Sequence, residues 1–485
     1  MRSFFILLAI SGLLELDIQS QTPPHQQLLE TYDRYREQTI VDRRFKHRDI
    51  VPLVENLPDD MAEVRIVGQS VEGREIYLVR IGYGKIKVLL WSQMHGDEPT
   101  ATMAMMDILN FFRDKQSNLQ IKEKLLDELS LFFIPMLNPD GAEKFQRRNA
   151  LGIDLNRDAL RLQTPEALIL KRVRDSLQPA WGFNLHDQNR YTSAGLNPQT
   201  ASLSFLAPAY NEKQEWNETR EKAMQLIVSM NNVLQDYLPG KIGRYPDDFE
   251  PRAFGDNFQK WGTSTVLIET GGLNDDREKQ LLRKMNFIVL IHAFNAIASQ
   301  TYRAHTLEEY EQIPLNKAVF HDLIIREAKI RRHGKWYTVD VGFRNEEINY
   351  QNHNEYYLRS YITDIGDLHT LYGYEEIMAS DFEIVPGKVY PNIILNEEIL
   401  KNLNIQTLLK DGYTHVAMEK LPPVHRRFQF PIQITQPGSK ISNTVSIGHN
   451  PALLLQKGGV NHIAILNGMP YAITDLGRAV LNPDE

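Results

Sequence analysis

The chain has 485 residues, with 54 Lys+Arg against 62 Asp+Glu and a formal charge of -8. That length allows two or three domains, and 42% apolar with 24% charged residues is ordinary globular usage, which excludes disordered and collagen-like classes. The acidic balance argues against a nucleic-acid partner. With no cysteine, disulfide scaffolds, thiolate metal sites, iron–sulfur clusters and thiol nucleophiles are excluded, so His, Asp and Glu must hold any metal.

Residues 1–20 open on Arg2, run mostly apolar from Phe4 to Leu14 and turn polar at Glu15, Asp17 and Gln19. Such a run covers about 17 Å as a helix, short of a ~30 Å hydrocarbon core. It fits a secretory signal peptide cleaved near Ser20–Gln21; the alternative is a buried amphiphilic helix. No other stretch approaches ~18 consecutive apolar residues, so no membrane span is expected in the mature chain. A secreted or periplasmic location follows as an expectation.

From 64 to about 297 strand-like and helix-like segments alternate. Strands are predicted at Glu75–Gly82, Lys85–Gln93, Leu129–Leu137, Trp181–Leu185 and Thr263–Glu269. Helices are predicted at Thr100–Asp114, Ala167–Leu177, Asn217–Leu238 and Asp275–Ser299. Near-continuous apolar strands between helices point to an α/β fold, a mixed and mostly parallel sheet with helices on both faces. After about 300 the texture changes. Ala328–Arg332, Val339–Val341 and Phe428–Ile434 look like strands, punctuated by Gly387, Pro391, Pro422, Pro423 and Pro437. The expected division is a signal peptide over 1–20, a catalytic domain over 21–300 and a β-rich domain of unassigned role over 310–485, joined by Tyr302–Pro314.

Four short segments carry chemistry-bearing residues. Met94-His95-Gly96-Asp97-Glu98 follows a predicted strand and precedes a helix. A His and a carboxylate three apart there can turn to one point as zinc ligands, although His-x-x-Glu alone is common. His186 ends another strand. A lone His there is usually a hydrogen-bonded rim residue, but strands ending at one sheet edge would bring it beside His95 and Glu98, a two-His, one-Glu set with an open position. Arg147, Arg148 and the pair Asn156-Arg157 offer donors for a carboxylate and a developing oxyanion, or form a solvated basic turn. Glu269 ends an apolar strand before Gly271-Gly272, where a carboxylate is costly unless paired or functional.

Taken together, and in chain order, these segments resemble the zinc metallocarboxypeptidases of the carboxypeptidase A/B-like group, in a bacterial-type form with an added C-terminal domain. The resemblance runs over about 45–300. It is carried by Gly68-Gln69-Ser70-Val71-Glu72-Gly73-Arg74, His95-Gly96-Asp97-Glu98, Asn138-Pro139-Asp140-Gly141, Arg147, Gly152-Ile153-Asp154-Leu155-Asn156-Arg157, His186 and Glu269. It implies one zinc ion per chain, bound by His95, Glu98 and His186, with Asp154 orienting a ligand histidine. It implies Glu269 as general base, Arg147 rather than Arg148 polarising the scissile carbonyl, and Asn156 and Arg157 holding the terminal carboxylate of a peptide. Tyr245 is the nearest candidate for a tyrosine that caps the substrate, with Tyr191 a weaker one. The sequence departs from the family where Asp187-Gln188 stands in place of Ser-Tyr after the last ligand His. Arg244, Asp248, Arg252, Phe254 and Asp256 precede the Glu269 strand, where the family builds its side-chain pocket. Asp256 would favour a basic terminal residue and Arg252 an acidic one; both also suit surface ion pairs. The expected activity is hydrolysis of C-terminal amino acids from peptides. Alternatives are a zinc amidase acting on cell-wall peptides, a deacylase of small acyl-amino acids, and a binding or scaffold protein on a silent peptidase fold.

Overall fold

The computed structural model describes residues 24–473. The signal-peptide reading of residues 1–20 lies outside that range. Among the described residues, nine strands precede residue 300: β1 (Ala62–Gln69), β2 (Glu75–Ile81), β3 (Ile86–Trp91), β4 (Leu129–Ile134), β5 (Trp181–Asp187), β6 (Ser193–Ala194), β7 (Leu203–Leu206), β8 (Ile242–Arg244) and β9 (Ser264–Thr270). All but β6 join one sheet in the order β1-β2-β4-β3-β5-β9-β7-β8. The centre, β4-β3-β5-β9, is parallel. β1, β2 and β7 pair antiparallel on the flanks, and β8 is parallel to β7. The sheet is therefore mixed, with a parallel core.

Alternation along each central strand sends side chains to two cores. Val88, Leu90, Phe133, Phe183 and Ile268 enter one core, while Leu89, Trp91, Phe132 and Ile134 enter the other. Helices α1 (Pro24–Thr31) and α2 (His47–Glu55) precede β1, and α3 (Thr100–Arg113) and α4 (Leu119–Glu128) lie between β3 and β4. They are followed by α5 (Pro139–Glu143), α6 (Pro165–Leu177), α7 (Glu218–Gln235), α8 (Phe254–Lys260) and α9 (Gln280–Ser299). Residues of α3, α7 and α9 fill the first core, and residues of α6 and α8 fill the second. Covering both faces is what lets β4 and β9 bury every residue. α9 is long and apolar enough to cross a membrane by composition, with mean hydropathy 1.3, but 72% of that window is buried here as a core helix. Its Arg283 is fully buried against Asp107 at 2.6 Å, and Tyr32 Oη donates to the same carboxylate at 2.7 Å.

Beyond residue 300, β10 (Asn316–Lys317) pairs with β6. The strands β11 (Phe320–Arg332), β12 (Lys335–Tyr350), β13 (Glu355–Gly366), β14 (Tyr372–Met378) and β15 (Glu383–Pro386) begin a second sheet. A small parallel sheet follows, made of β16 (Lys388–Ile394), β17 (Tyr413–Met418) and β18 (Gln433–Thr435). Finally β19 (Leu453–Lys457), β20 (Val460–Leu466) and β21 (Met469–Ala472) return to the second sheet. This unit has its own apolar core around Leu323, Phe343, Ile362, Leu453 and Ile465.

Several predicted bounds shift for local reasons. The strand expected to reach Leu137 stops at Ile134, because Pro135 has no N–H for the ladder. The helix expected from Asp275 begins at Gln280, where the Asp276 carboxylate accepts from the N–H groups of Leu281 and Leu282. Within the segment expected as a strand over Phe428–Ile434, only Gln433 and Ile434 are in β18.

Candidate active site

The parallel strands end together, and their C-terminal ends carry the site. β5 and β9 pair so that His186 stands opposite Glu269. The loop after β3 brings in His95 and Glu98. Asn138 pins that loop: its N–H donates to Gln93 O at 2.9 Å and its Nδ2 to Met94 O at 3.2 Å. Gly96 lies so close to α5 that an added Cβ would sit 2.0 Å from the Gly141 carbonyl carbon, so only glycine fits there. The segment Asn138–Gly141 thus shapes the loop rather than facing its centre. Asp140 in turn accepts from Ser70 Oγ at 2.7 Å and pairs with Arg74 at 2.6 Å, which ties in the Gly68–Arg74 turn.

His95 Nδ1 lies 2.8 Å from Glu98 Oε1, and His186 Nδ1 lies 2.6 Å from Glu98 Oε2. The two Nδ1 atoms are 3.2 Å apart, and all three side chains are buried. Neighbouring ligands of a tetrahedral zinc stand about 3.4 Å apart, so this donor set fits one such ion with a position left open. His95 Nε2 meets Asp154 Oδ1 at 3.0 Å, an arrangement that leaves Nδ1 as the free lone pair. Asp154 is itself fixed by Arg147 Nε at 3.0 Å and caps the short turn Leu155–Arg157 through the Asn156 N–H.

The charges of the cluster are strongly coupled. Burial opposes ionisation of Glu98, but His95 and His186 outweigh it and hold the carboxyl well below its ordinary range. Burial also opposes the charge on His95, yet Glu98 and Asp154 push its pKa up to about 9. His186 is pushed down by burial. Glu269 is driven well above the usual carboxylate range by burial and by the charge of Glu98. Tyr245 is raised to about 12, chiefly by the charge of Glu269 and then by burial.

Arg147 is exposed, with Nη1 at 3.1 Å from His95 Nδ1 and 3.3 Å from Glu98 Oε1. Arg148 turns away, donating to Gly152 O. Asn156 Oδ1 accepts from the Phe254 N–H at 2.9 Å. Arg157 is exposed and paired with Glu250 at 3.2 Å, and Glu250 is also bound by Arg252 at 2.7 Å. Tyr191 lies outside this group, since its hydroxyl donates to Asp322 in the β-rich unit at 2.6 Å. Of the residues before β9, Arg252 and Arg244 form ion pairs, with Glu250 and Glu311 respectively, while Phe254 is core. Asp256 is half-buried, accepts from the Glu250 N–H at 3.0 Å and is raised to about 7 by burial.

Two neighbours were not foreseen from the sequence. Glu250 sits on Arg157 from ninety-three positions away, and Lys279 donates to Asp187 Oδ2 at 3.1 Å and Thr270 O at 2.9 Å. The one available signal was Asp187 itself, a buried acid that needed a cation.

Two histidines and a glutamate gathered at the strand ends of a parallel-centred α/β sheet form a donor set that can hold a metal ion. Residues 50–232 match the family described as zinc carboxypeptidase. It is 31% identical over 103 residues to Carboxypeptidase 2 of Trichophyton rubrum, covering 21% of this chain and 19% of that protein. It is 26% identical over 129 residues to Carboxypeptidase D of Drosophila melanogaster, covering 23% of this chain and 9% of that protein. The chain thus spans a fifth or less of the length of these curated relatives. Among solved structures it is similar to a metallo-carboxypeptidase from Pseudomonas aeruginosa in complex with (2-guanidinoethylmercapto)succinic acid, 19% identical with a TM-score of 0.43, over 53% of this chain and 70% of that one.

Proposed function

We propose that the chain is a zinc-dependent, exported carboxypeptidase that removes C-terminal amino acids from peptides. The observation that carries this reading is the convergence of His95 Nδ1, His186 Nδ1 and Glu98 on one point, with Glu269 beside His186 in the strand register. The signal-like residues 1–20 support export. When bound by those three residues, zinc would supply a Lewis acid for the scissile carbonyl and for a nucleophilic water.

The chain's own groups do the rest. Glu269, opposite His186 in the strand register, takes the water proton and passes it to the leaving amine. Arg147, facing the cluster from the solvent side, donates to the oxyanion that develops on the carbonyl. Asn156 and Arg157 form the rim that receives the terminal carboxylate, which makes cleavage exo rather than endo. Tyr245 keeps its proton and can donate toward the substrate.

The test is a chelator-sensitive assay on paired peptides with free and amidated C-termini. Zinc-restored release of the last residue from the free peptides alone is expected. Equal cleavage of the amidated peptides, or hydrolysis confined to cell-wall peptides, would overturn the assignment.

A further inference from the structure

The β-rich unit touches the chain just beyond each of the two facing site residues. Past His186, Tyr191 and Arg190 share Asp322. The Tyr191 hydroxyl donates to its Oδ2 at 2.6 Å, and Arg190 lies 3.5 Å from its Oδ1. Asp322 also accepts from the Asn345 N–H at 2.7 Å, so this buried carboxylate is fully partnered and makes a stiff node. Past Glu269, Gly272 packs so tightly that an added Cβ would lie 2.5 Å from Tyr374 Oη. The same hydroxyl donates to Arg190 O at 2.6 Å, while the Arg190 guanidinium sits 4.1 Å from the Tyr374 ring centre. One tyrosine thereby holds both loops.

A second strut reaches the same strand ends from the residue that precedes α9. Lys279 ties Asp187, which follows His186, to the carbonyl of Thr270, which follows Glu269. Its neighbour Glu278 accepts from the hydroxyl of Tyr356 on β13 at 2.7 Å.

We propose that the β-rich unit is a buttress of the active centre, with Asp322, Tyr374 and Lys279 as positioning residues that set the separation of His186 and Glu269. None of the three belongs to the His95–Glu98–His186 cluster. This rests on the functional reading above, because only there does that separation matter to a reaction. A module tethered for binding alone would have no reason to grip both of these loops through one hydroxyl.

The experiment uses the full-length, zinc-loaded chain and the variants Asp322→Asn and Tyr374→Phe, with Lys457→Ala, at an exposed ion pair inside the β-rich unit, as the control. Tyr374→Phe removes a single oxygen, so it keeps the test alive if Asp322→Asn does not fold. Amide hydrogen exchange over 187–192 and 270–273 is measured beside kcat, KM and bound zinc. Both variants should exchange faster in both segments, and kcat should fall about 5–10-fold with KM and zinc content held, as expected for small misplacement of reacting groups. Lys457→Ala should match the wild type. Unchanged kcat, or a loss shared by kcat, KM and zinc content alike, overturns the proposal. A wild-type chain that releases no C-terminal residue defeats the functional reading instead, and the exchange rates then decide whether the β-rich unit holds the loops.

Discussion

Strands β4 and β9 bury every residue, whereas β12 buries four of sixteen and β13 two of twelve. The first pair lies in a parallel sheet roofed by helices on both sides; the second forms an antiparallel ribbon with one face open. The contrast explains where the chemistry sits. Only a dry, doubly covered sheet can end its strands in a buried His186 and Glu269 whose protonation is set by burial and by each other. The ribbon holds its shape by local pairing and can lend side chains such as Tyr356 and Asn349 to its neighbour.

Substitutions in the two units should therefore differ in kind. His186→Ala has the largest expected effect: the cluster loses one of three donors, and zinc measured on the purified chain should fall far below one ion per molecule. Full occupancy would contradict the ligand set. Glu269→Gln should keep its metal and fold while kcat falls about 10²–10⁴-fold, the usual worth of a general base; full turnover would remove Glu269 from the mechanism. Next comes Arg283→Met. It strands Asp107, whose side chain is fully buried with it, and should cost about 3–5 kcal/mol in denaturant unfolding of the first unit. The matching change in the β-rich unit, Arg326→Met, should cost less, because of its two acidic partners Glu376 is 36% exposed and stays solvated, while Asp340 still accepts from the N–H groups of Glu327 and Leu368. Equal costs would break the comparison.

The smallest expected effect is one of pH, and it should be common to both units. Burial lowers His292 in the first unit, and His321 and His415 in the second, from 6.5 to about 4. These rings are neutral when folded, so between those values the unfolded chain binds protons that the folded chain refuses. Their contribution is complete above about pH 6.5 and is lost as pH falls toward about 4. Urea midpoints at about pH 7 and about pH 5 should show the drop, and His292→Gln should flatten part of it.

The central sheet was legible in the sequence because apolar runs such as LSLFFI and TVLIE leave few alternatives, and the cluster was legible because each member sits next to a strand end. Of the long hairpin β12–β13 only Val339–Val341 was legible. Its residues alternate Arg344, Glu346 and Arg359 with Phe343, Leu358 and Ile362, a half-wet pattern that dilutes the strand signal. The short helices α2 and α4 were also missed, α2 because Pro52 sits inside it. Glu250 and Lys279 could not be foreseen, since ion pairs between distant segments leave no local pattern.

The pairing of Glu250 with Arg157 has one more consequence. The cation on the rim already has an internal anion, and Arg252 grips that same anion from its other side. On the proposed reading, an incoming chain end would have to win a contest rather than fill a gap, with the loser dropping back onto Arg252 at little cost. Docking would then be a swap of counterions, one in which an uncharged amide end has nothing to trade.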